Sequence, residues 1–397
     1  MNPTIYEQTS HQISFDEVDP DALKVVKALQ KAGHTAYIVG GGVRDLVLKQ
    51  KPKDYDISTS AKPEEIKQLF RGQCLLIGRR FRLAHIRFGK KIIEVATFRA
   101  GDNESDQLIV HDNVWGTPEQ DVQRRDFTIN GLFYDPSTET IIDYVGGYPD
   151  LQKKYLRTIG QPFLRFKQDP VRMIRLIKFQ ARFGFEVDED ARIAMAECRP
   201  EIKKSSQARI FEEILRMLES GSARSFIKLM NETGFLEHLM PPFSEFLETP
   251  DGVEVFSYLE ELDSRKEEIT DRALSLSCLV FPLLQRYLQI HFIDREKVPH
   301  LGEINQETHK VISTIFQPFF VLPRKLRMKM MSILTAQFRM TPYEKKLSRR
   351  PRIPRDPDFF LAIEFLDMRA CLEPALIQIC DMWEDAYYNQ KRHKSHG

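Results

Sequence analysis

AYIVGGGVRDLVLKQKPKDYDISTS, residues 36–60, decides how this chain is read. The β-branched run AYIV stops at Val39, and three glycines and an amphipathic VRDLVL follow. That is the order of a buried strand, a tight turn and a helix starting near Val43. Such a turn leaves backbone N–H groups at a helix N-terminus facing open space, where an anion fits. A dinucleotide fingerprint is excluded, because G-x-G-x-x-G needs glycine where Asp45 stands, and a Walker loop is excluded because no G-K-[ST] follows. Alone, the segment is equally compatible with a simple bend.

Ten residues beyond Arg44 comes Asp54-Tyr55-Asp56, in a run read as a strand over 55–58. Residues i and i+2 of a strand share one face about 7 Å apart, so Asp54 and Asp56 converge while Tyr55 points away. Converging carboxylates hold Mg²⁺ against nucleotide phosphates, or bridge two ions about 3.5–4 Å apart in phosphoryl transfer. KKIIEVATFRA, residues 90–100, alternates and sets Glu94 on one face with Ile92, Ala96 and Phe98, which makes Glu94 a candidate third carboxylate or a rim ion pair. RRDFTIN, residues 124–130, is read as opening a helix that Asp126 caps; Asp126 is the other candidate third carboxylate.

Outward from this centre, 397 residues with 42% hydrophobic and 29% charged residues predict two or three ordinary globular domains. No window of 18 or more apolar residues is recognised, and residues 1–20 have neither a basic start nor an apolar core. The expectation is a cytoplasmic protein without a membrane span. Cys74, Cys198, Cys278, Cys371 and Cys380, odd in number and without C-x-x-C spacing, read as reduced packing thiols. Thirteen of the 19 glycines precede residue 161, and short β-branched runs at 36–39, 55–58, 83–88, 92–98 and 141–145 lie in the same part. Beyond Asp169, VRMIRLIKFQARFGF and QARIFEEILRMLES show helical apolar spacing, so the class is α+β with everything after the first part helical. Asp169, Arg172 and Arg175 recur at steps of three, which sets a carboxylate and guanidinium groups side by side on one helix, able to match the edge of adenine or cytosine. Net charge is only +1, yet residues 323–355 hold eleven Lys/Arg against Glu344 alone, a surface suited to a polyanion, while 244–268 is acidic.

G-G-x-V-R-D at 41–45 with its preceding glycine, D-x-D at Asp54 and Asp56, R-R-D-F-T-I-N at 124–130 and D-P-V-R-M-I-R from Asp169 together resemble the class II nucleotidyltransferases, the bacterial poly(A) polymerases and CCA-adding tRNA nucleotidyltransferases. The resemblance covers residues 20–240 well and the rest loosely. It implies a catalytic head with a small mixed sheet (21–160) after an N-terminal extension (1–20), a helical neck binding base and RNA (161–240) and a helical body and tail binding RNA (241–390); the polar composition of the end (391–397) reads as disorder. The resemblance further implies that Asp54 and Asp56 bind Mg²⁺ as the cofactor. Gly41, Gly42, Arg44, Arg125, Asn130, Asp169, Arg172, Arg175 and Lys178 then serve the nucleotide. Gln168 departs from the family's E-D-x-x-R, and Lys178 from its arginine.

LIGRRFRLAHI, residues 76–86, resembles the segment that separates poly(A) polymerases from CCA-adding relatives, and places Arg79, Arg80 and Arg82 where phosphates would pass. SRRPRIPRDPDFF, residues 348–360, with Arg349, Arg350 and Arg352, resembles the tail of the polyadenylating branch. The expected reaction is template-independent transfer of AMP from ATP to RNA 3′ ends, of mRNA, other transcripts or tRNA, in RNA processing and decay, with RNA-decay factors as partners. The alternatives are CCA addition from CTP and ATP, and an inactive RNA-binding protein.

Overall fold

The computed structural model of the protein describes residues 2–78, 83–101, 114–265, 267, 271–343 and 351–395, the last five of these by backbone alone. Two compact units are formed, Met1–Cys198 and Arg199–Gly397. The boundary lies within the segment 161–240, since helices Pro162–Gln168, Val171–Phe183 and Glu189–Cys198 belong to the first unit.

In chain order the strands are β1 Thr4–Tyr6, β2 Ala36–Val39, β3 Asp56–Thr59, β4 Cys74–Ile77, β5 Leu83–Phe88, β6 Lys91–Thr97, β7 Arg99–Ala100, β8 Val114–Trp115, β9 Leu132–Asp135, β10 Thr140–Asp143, β11 Tyr155–Leu156 and β12 Glu186–Val187. Eight of them make one mixed sheet in the order β1-β10-β9-β2-β3-β6-β5-β4, and β3 and β6 are its parallel pair. The N-terminal segment therefore supplies an edge strand. β11 and β12 pair in parallel, so the chain beyond Asp169 is not wholly helical as expected: Gly184, in the left-handed region at φ +65°, ends helix Val171–Phe183 and frees the next residues to extend.

Register explains where the core sits. Ile141, Tyr134, Ile38, Ile57, Val95 and Ala84 oppose one another across six strands, and each is at most 1% exposed. Because successive strand residues face opposite ways, the next row along lies on the other face: Ile142, Phe133, Val39, Asp56, Glu94 and His85. Half of that row is apolar and joins Phe98, Val122 and Ile159 in a second core cluster; the other half is titratable. Helix Pro20–Lys31, capped by Asp19 and started by Pro20, buries Ala22, Leu23, Val25, Val26 and Leu29 in the first unit.

In the second unit all described elements are helical. Helix Arg272–His291 is buried along most of its length among helices Val253–Ser264, Leu301–Phe316 and Arg324–Met340. Counter to the expectation of no such segment, the stretch Arg272–Arg295 is long and apolar enough to cross a bilayer, but 67% of the qualifying window is buried inside the protein. Helix Ile377–Ser395 takes in 391–395 of the segment expected to be disordered, Gln390, Lys391 and Arg392 being good helix formers appended to a helix already started; 396 and 397 lie outside the described residues.

Candidate active site

Asp56 stands in register with Glu94 on the parallel strands β3 and β6, and Glu94 with His85 on β5, whose Nε2 lies 3.3 Å from the Glu94 carboxylate. Asp56 is open to solvent by area while protein atoms crowd its carboxyl. That desolvation, then the charges of Glu94 and Asp54, push its pKa up to about 6 against the pull of Arg125. Asp54 is not on the strand, as the i, i+2 reading required; β3 begins at Asp56, and Asp54 approaches from the turn before it. Tyr55 does point inward, its hydroxyl donating to the Glu17 carbonyl at 3.2 Å. Glu94 is not enclosed by apolar neighbours: it is half exposed beside exposed Ile92, and the buried positions of β6 are Ile93, Val95 and Thr97.

The glycine turn positions these acids. Gly40 has φ +68° and ψ −129°, a conformation side chains resist, and a Cβ there would meet Arg125 Nη1 at 3.1 Å. Gly41 and Gly42 are already in helix Gly41–Val47, two residues earlier than expected, and a Cβ on Gly42 would stand 3.3 Å from the Asp54 carbonyl. The absence of a side chain at Gly42 lets the Asp54 backbone lie against the helix.

Arg44, expected at the triphosphate, is enclosed. Its Nε and Nη2 donate to Asp45 Oδ1 at 2.8 and 2.7 Å, its Nη1 to Asn130 Oδ1 at 2.7 Å, and its guanidinium lies over Phe179 and Phe183. Burial lowers its pKa, with Asp45 opposing. Asn130 donates in turn to Asp126 Oδ1 at 3.0 Å, Asp126 faces Arg175 at 3.5 Å, and Asp45 faces Arg182 at 3.3 Å. The resulting chain, Arg182-Asp45-Arg44-Asn130-Asp126-Arg175, begins and ends on helix Val171–Phe183 and ties it to the sheet domain. Asp126 does not cap a helix: Phe127 precedes a three-residue 3-10 turn, Thr128–Asn130, while Asp126 accepts the Phe127 N–H at 2.8 Å. Burial would raise the Asp126 pKa, but Arg175, Asn130 and the Phe127 N–H outweigh it and hold the carboxyl below its usual range. Glu94, rather than Asp126, is the acid beside Asp56.

Arg125 binds Asp121 at 2.9 Å, Ser58 Oγ at 3.3 Å and the Asn130 carbonyl at 3.3 Å. Asp169, expected on one helix with Arg172 and Arg175, instead ends helix Pro162–Gln168, because Pro170 interrupts the run and the next helix begins at Val171. Arg172 is buried and donates to the carbonyls of Arg165 and Arg124 at 3.3 and 3.2 Å, and Lys178 lies over the Phe179 ring. Gln168 accepts from Arg165 at 3.1 Å, and Arg165 also holds the Arg125 carbonyl at 2.8 Å. Arg165 and Arg124 were missed by sequence reasoning. Burial and then neighbouring arginines push both down to about 10, so Arg99, Arg124, Arg125, Arg165 and Arg172 concentrate positive charge suited to a polyphosphate. Among the expected RNA-binding residues, Arg79, Arg80, Arg82, Arg349 and Arg350 lie outside the described residues. Arg352 is exposed, its carbonyl accepting from Arg339 at 3.3 Å. Lys329, within the basic run, is paired with Asp271 at 2.6 Å and Asp358 at 3.5 Å.

A family described as "Poly A polymerase head domain" matches residues 36–157, and one described as "Probable RNA and SrmB- binding site of polymerase A" matches 184–247. The chain is 35% identical to Poly(A) polymerase I of Haemophilus influenzae over 97% of its own length and 88% of the relative's. It is 34% identical to the CCA-adding enzyme of Bacillus velezensis, over 62% of its length and 61% of that protein's. Among solved structures, the Bacillus stearothermophilus CCA-adding enzyme in complex with CTP shares the fold at a TM-score of 0.64 and 23% identity, over 93% of this chain and 83% of that one.

Proposed function

Since this chain belongs to the poly(A) polymerase family, we propose that Asp54, Asp56 and Glu94 are the acidic centre of a polynucleotide adenylyltransferase. The enzyme adds adenylate from ATP to RNA 3′ ends without a template. One observation carries the choice of reaction: sequence identity to the Haemophilus influenzae poly(A) polymerase runs through 97% of the chain, whereas that to the Bacillus velezensis CCA-adding enzyme runs through 62%.

Asp54, Asp56 and Glu94 offer oxygen alone, a hard donor set, and the like charge that Glu94 and Asp54 place on Asp56 is what a divalent cation relieves, so these residues fit Mg²⁺. Held there, Mg²⁺ supplies charge neutralisation at the reacting phosphates. The arginines Arg124, Arg125 and Arg165 provide the field that draws the triphosphate and steadies pyrophosphate as it leaves. Arg44 acts through Asn130 and helix Val171–Phe183, and so is a positioning residue. Asp169, Arg172, Arg175 and Lys178 form the side that reads the base, with Arg172 held rigid by two carbonyls. Attack of the RNA 3′-hydroxyl on the α-phosphate, in line with departing pyrophosphate, needs no covalent enzyme intermediate. Contact with RNA phosphates is the role we assign to Arg79, Arg80 and Arg82 and, separately, to Arg349, Arg350 and Arg352. Five free thiols suit a reducing compartment, and with it a cytoplasmic role beside RNA-decay factors.

Purified protein incubated with an RNA ending in A and with a tRNA lacking its CCA end, each nucleotide offered separately, tests this reading. Long tails from ATP alone are expected; a product that halts after three additions and requires CTP would overturn it.

A further inference from the structure

Helices Phe359–Leu372 and Ile377–Ser395, joined by the short turn Pro374–Leu376, pack through Ala362, Ile363, Leu366, Cys380 and Trp383. At one side of this apolar seam the Asp367 carboxylate, the Cys380 thiol and the Glu384 carboxylate bring a ligand atom each to within 4.8 Å of one another. Cys380 and Glu384 are one helical turn apart and so share a face; Asp367 meets them from the other helix. Two further observations mark the cluster as more than surface acids. Cys380 is only 4% exposed, and its thiol has no hydrogen-bond partner among the described residues. Asp367 is oriented from behind, because Arg265 binds its Oδ2 and also donates to Cys371 Sγ at 3.0 Å, which leaves Oδ1 for another ligand.

We propose that Asp367, Cys380 and Glu384 bind one zinc-class divalent cation that clasps the two C-terminal helices. Zinc bonds of about 2.0–2.3 Å in tetrahedral array bring ligand atoms to about 3.3–3.8 Å. The site closes by about 1 Å through side-chain rotation, with water in the fourth position. The thiol selects zinc over magnesium, which prefers oxygen alone. Arg265 is the outer partner that fixes the Asp367 carboxylate, the arrangement by which metal ligands are commonly oriented.

Co²⁺ titration of the full chain is the test, since the acidic centre of the head has no sulfur and only the C-terminal site can give a thiolate-to-cobalt charge-transfer band. One such band per chain is expected. Cys380→Ser should abolish it, Cys371→Ser should keep it, and Glu384→Gln should weaken Co²⁺ binding at least about tenfold, the loss that even an outer partner commonly produces. Zn²⁺ should displace the cobalt and raise the Tm of the wild type but not of Glu384→Gln, a half-buried change that leaves the helix seam intact. Absence of the band in the wild type, or its survival in Cys380→Ser, overturns the proposal.

Discussion

Arg44 donates through Nη1 to the side-chain oxygen of Asn130 at 2.7 Å, and this bond joins two ion-pair systems that would otherwise be separate. On one side stand Asp45 and Arg182, on the other Asp126 and Arg175. The amide is suited to the place: its oxygen accepts from a cation while its nitrogen donates to a carboxylate.

Asn130→Ala should therefore leave a buried guanidinium and a buried carboxylate each short of a partner. A loss of about 1–3 kcal/mol is expected. Denaturant unfolding followed by intrinsic fluorescence measures it, and turnover should fall with it because helix Val171–Phe183 loosens from the sheet domain.

Asp54→Ala and Asp56→Ala should each lower turnover at least about a hundredfold, the usual effect of removing one electrostatic stabiliser. Asp54 is exposed, and removing the Asp56 carboxylate relieves desolvation and like-charge crowding, so neither change should lower the Tm. Glu94→Gln should also cut turnover without unfolding the protein, whereas Asp126→Asn should act chiefly on stability. Wild-type rates in Asp56→Ala would remove the acidic centre from the mechanism.

The folded Asp126 pKa is depressed, so its contribution is present in full above the unfolded value of about 3.9 and is lost as pH falls from there through the folded value. Stability should consequently drop on the acid side of about pH 4. In Asp126→Asn that part of the drop should disappear, which thermal melts from neutral to acid pH would read directly.

Gly42→Ala places a methyl group 3.3 Å from the Asp54 carbonyl, so the turn carrying Asp54 must give by a few tenths of an ångström. Turnover should fall several-fold, up to about tenfold, with a small change in Tm, because catalysis is more sensitive to placement than stability is.

Exchanging Arg349, Arg350 and Arg352 together for Gln should raise the RNA KM and leave the ATP KM unchanged. For phosphate contacts to a single strand, the logarithm of affinity falls with that of salt by about 0.7 per phosphate neutralised. The salt slope should flatten accordingly, and an unaltered slope would return the stretch to an ordinary solvated surface.

Local order was legible in the chain. Strands 36–39 and 83–88 appear where β-branched runs put them, and the run 92–98 is shifted by one residue to Lys91–Thr97. Helix Val171–Phe183 follows its apolar spacing, and the motifs at 40–45, 54–56, 124–130 and 169–175 were enough to identify the family. These features depend on neighbours in sequence: alternation, helical spacing and the backbone demands of glycine and proline act within a few residues.

What the tertiary structure decided is which distant residues meet. No local pattern says that β3 pairs in parallel with β6 across the intervening β4 and β5, yet that register brings Glu94 beside Asp56, while the docking of helix Val171–Phe183 gives Asp126 to Arg175. Arg44, read as a ligand for phosphate, is buried among partners that come from 86 residues away and from a later helix. Arg165 lay outside every motif, and Arg124 opened the R-R-D-F-T-I-N run without a role assigned to it. Their pKa is lowered by burial and by neighbouring arginines, Arg172 beside both, and this crowding arises only when segments far apart in the chain fold into one place.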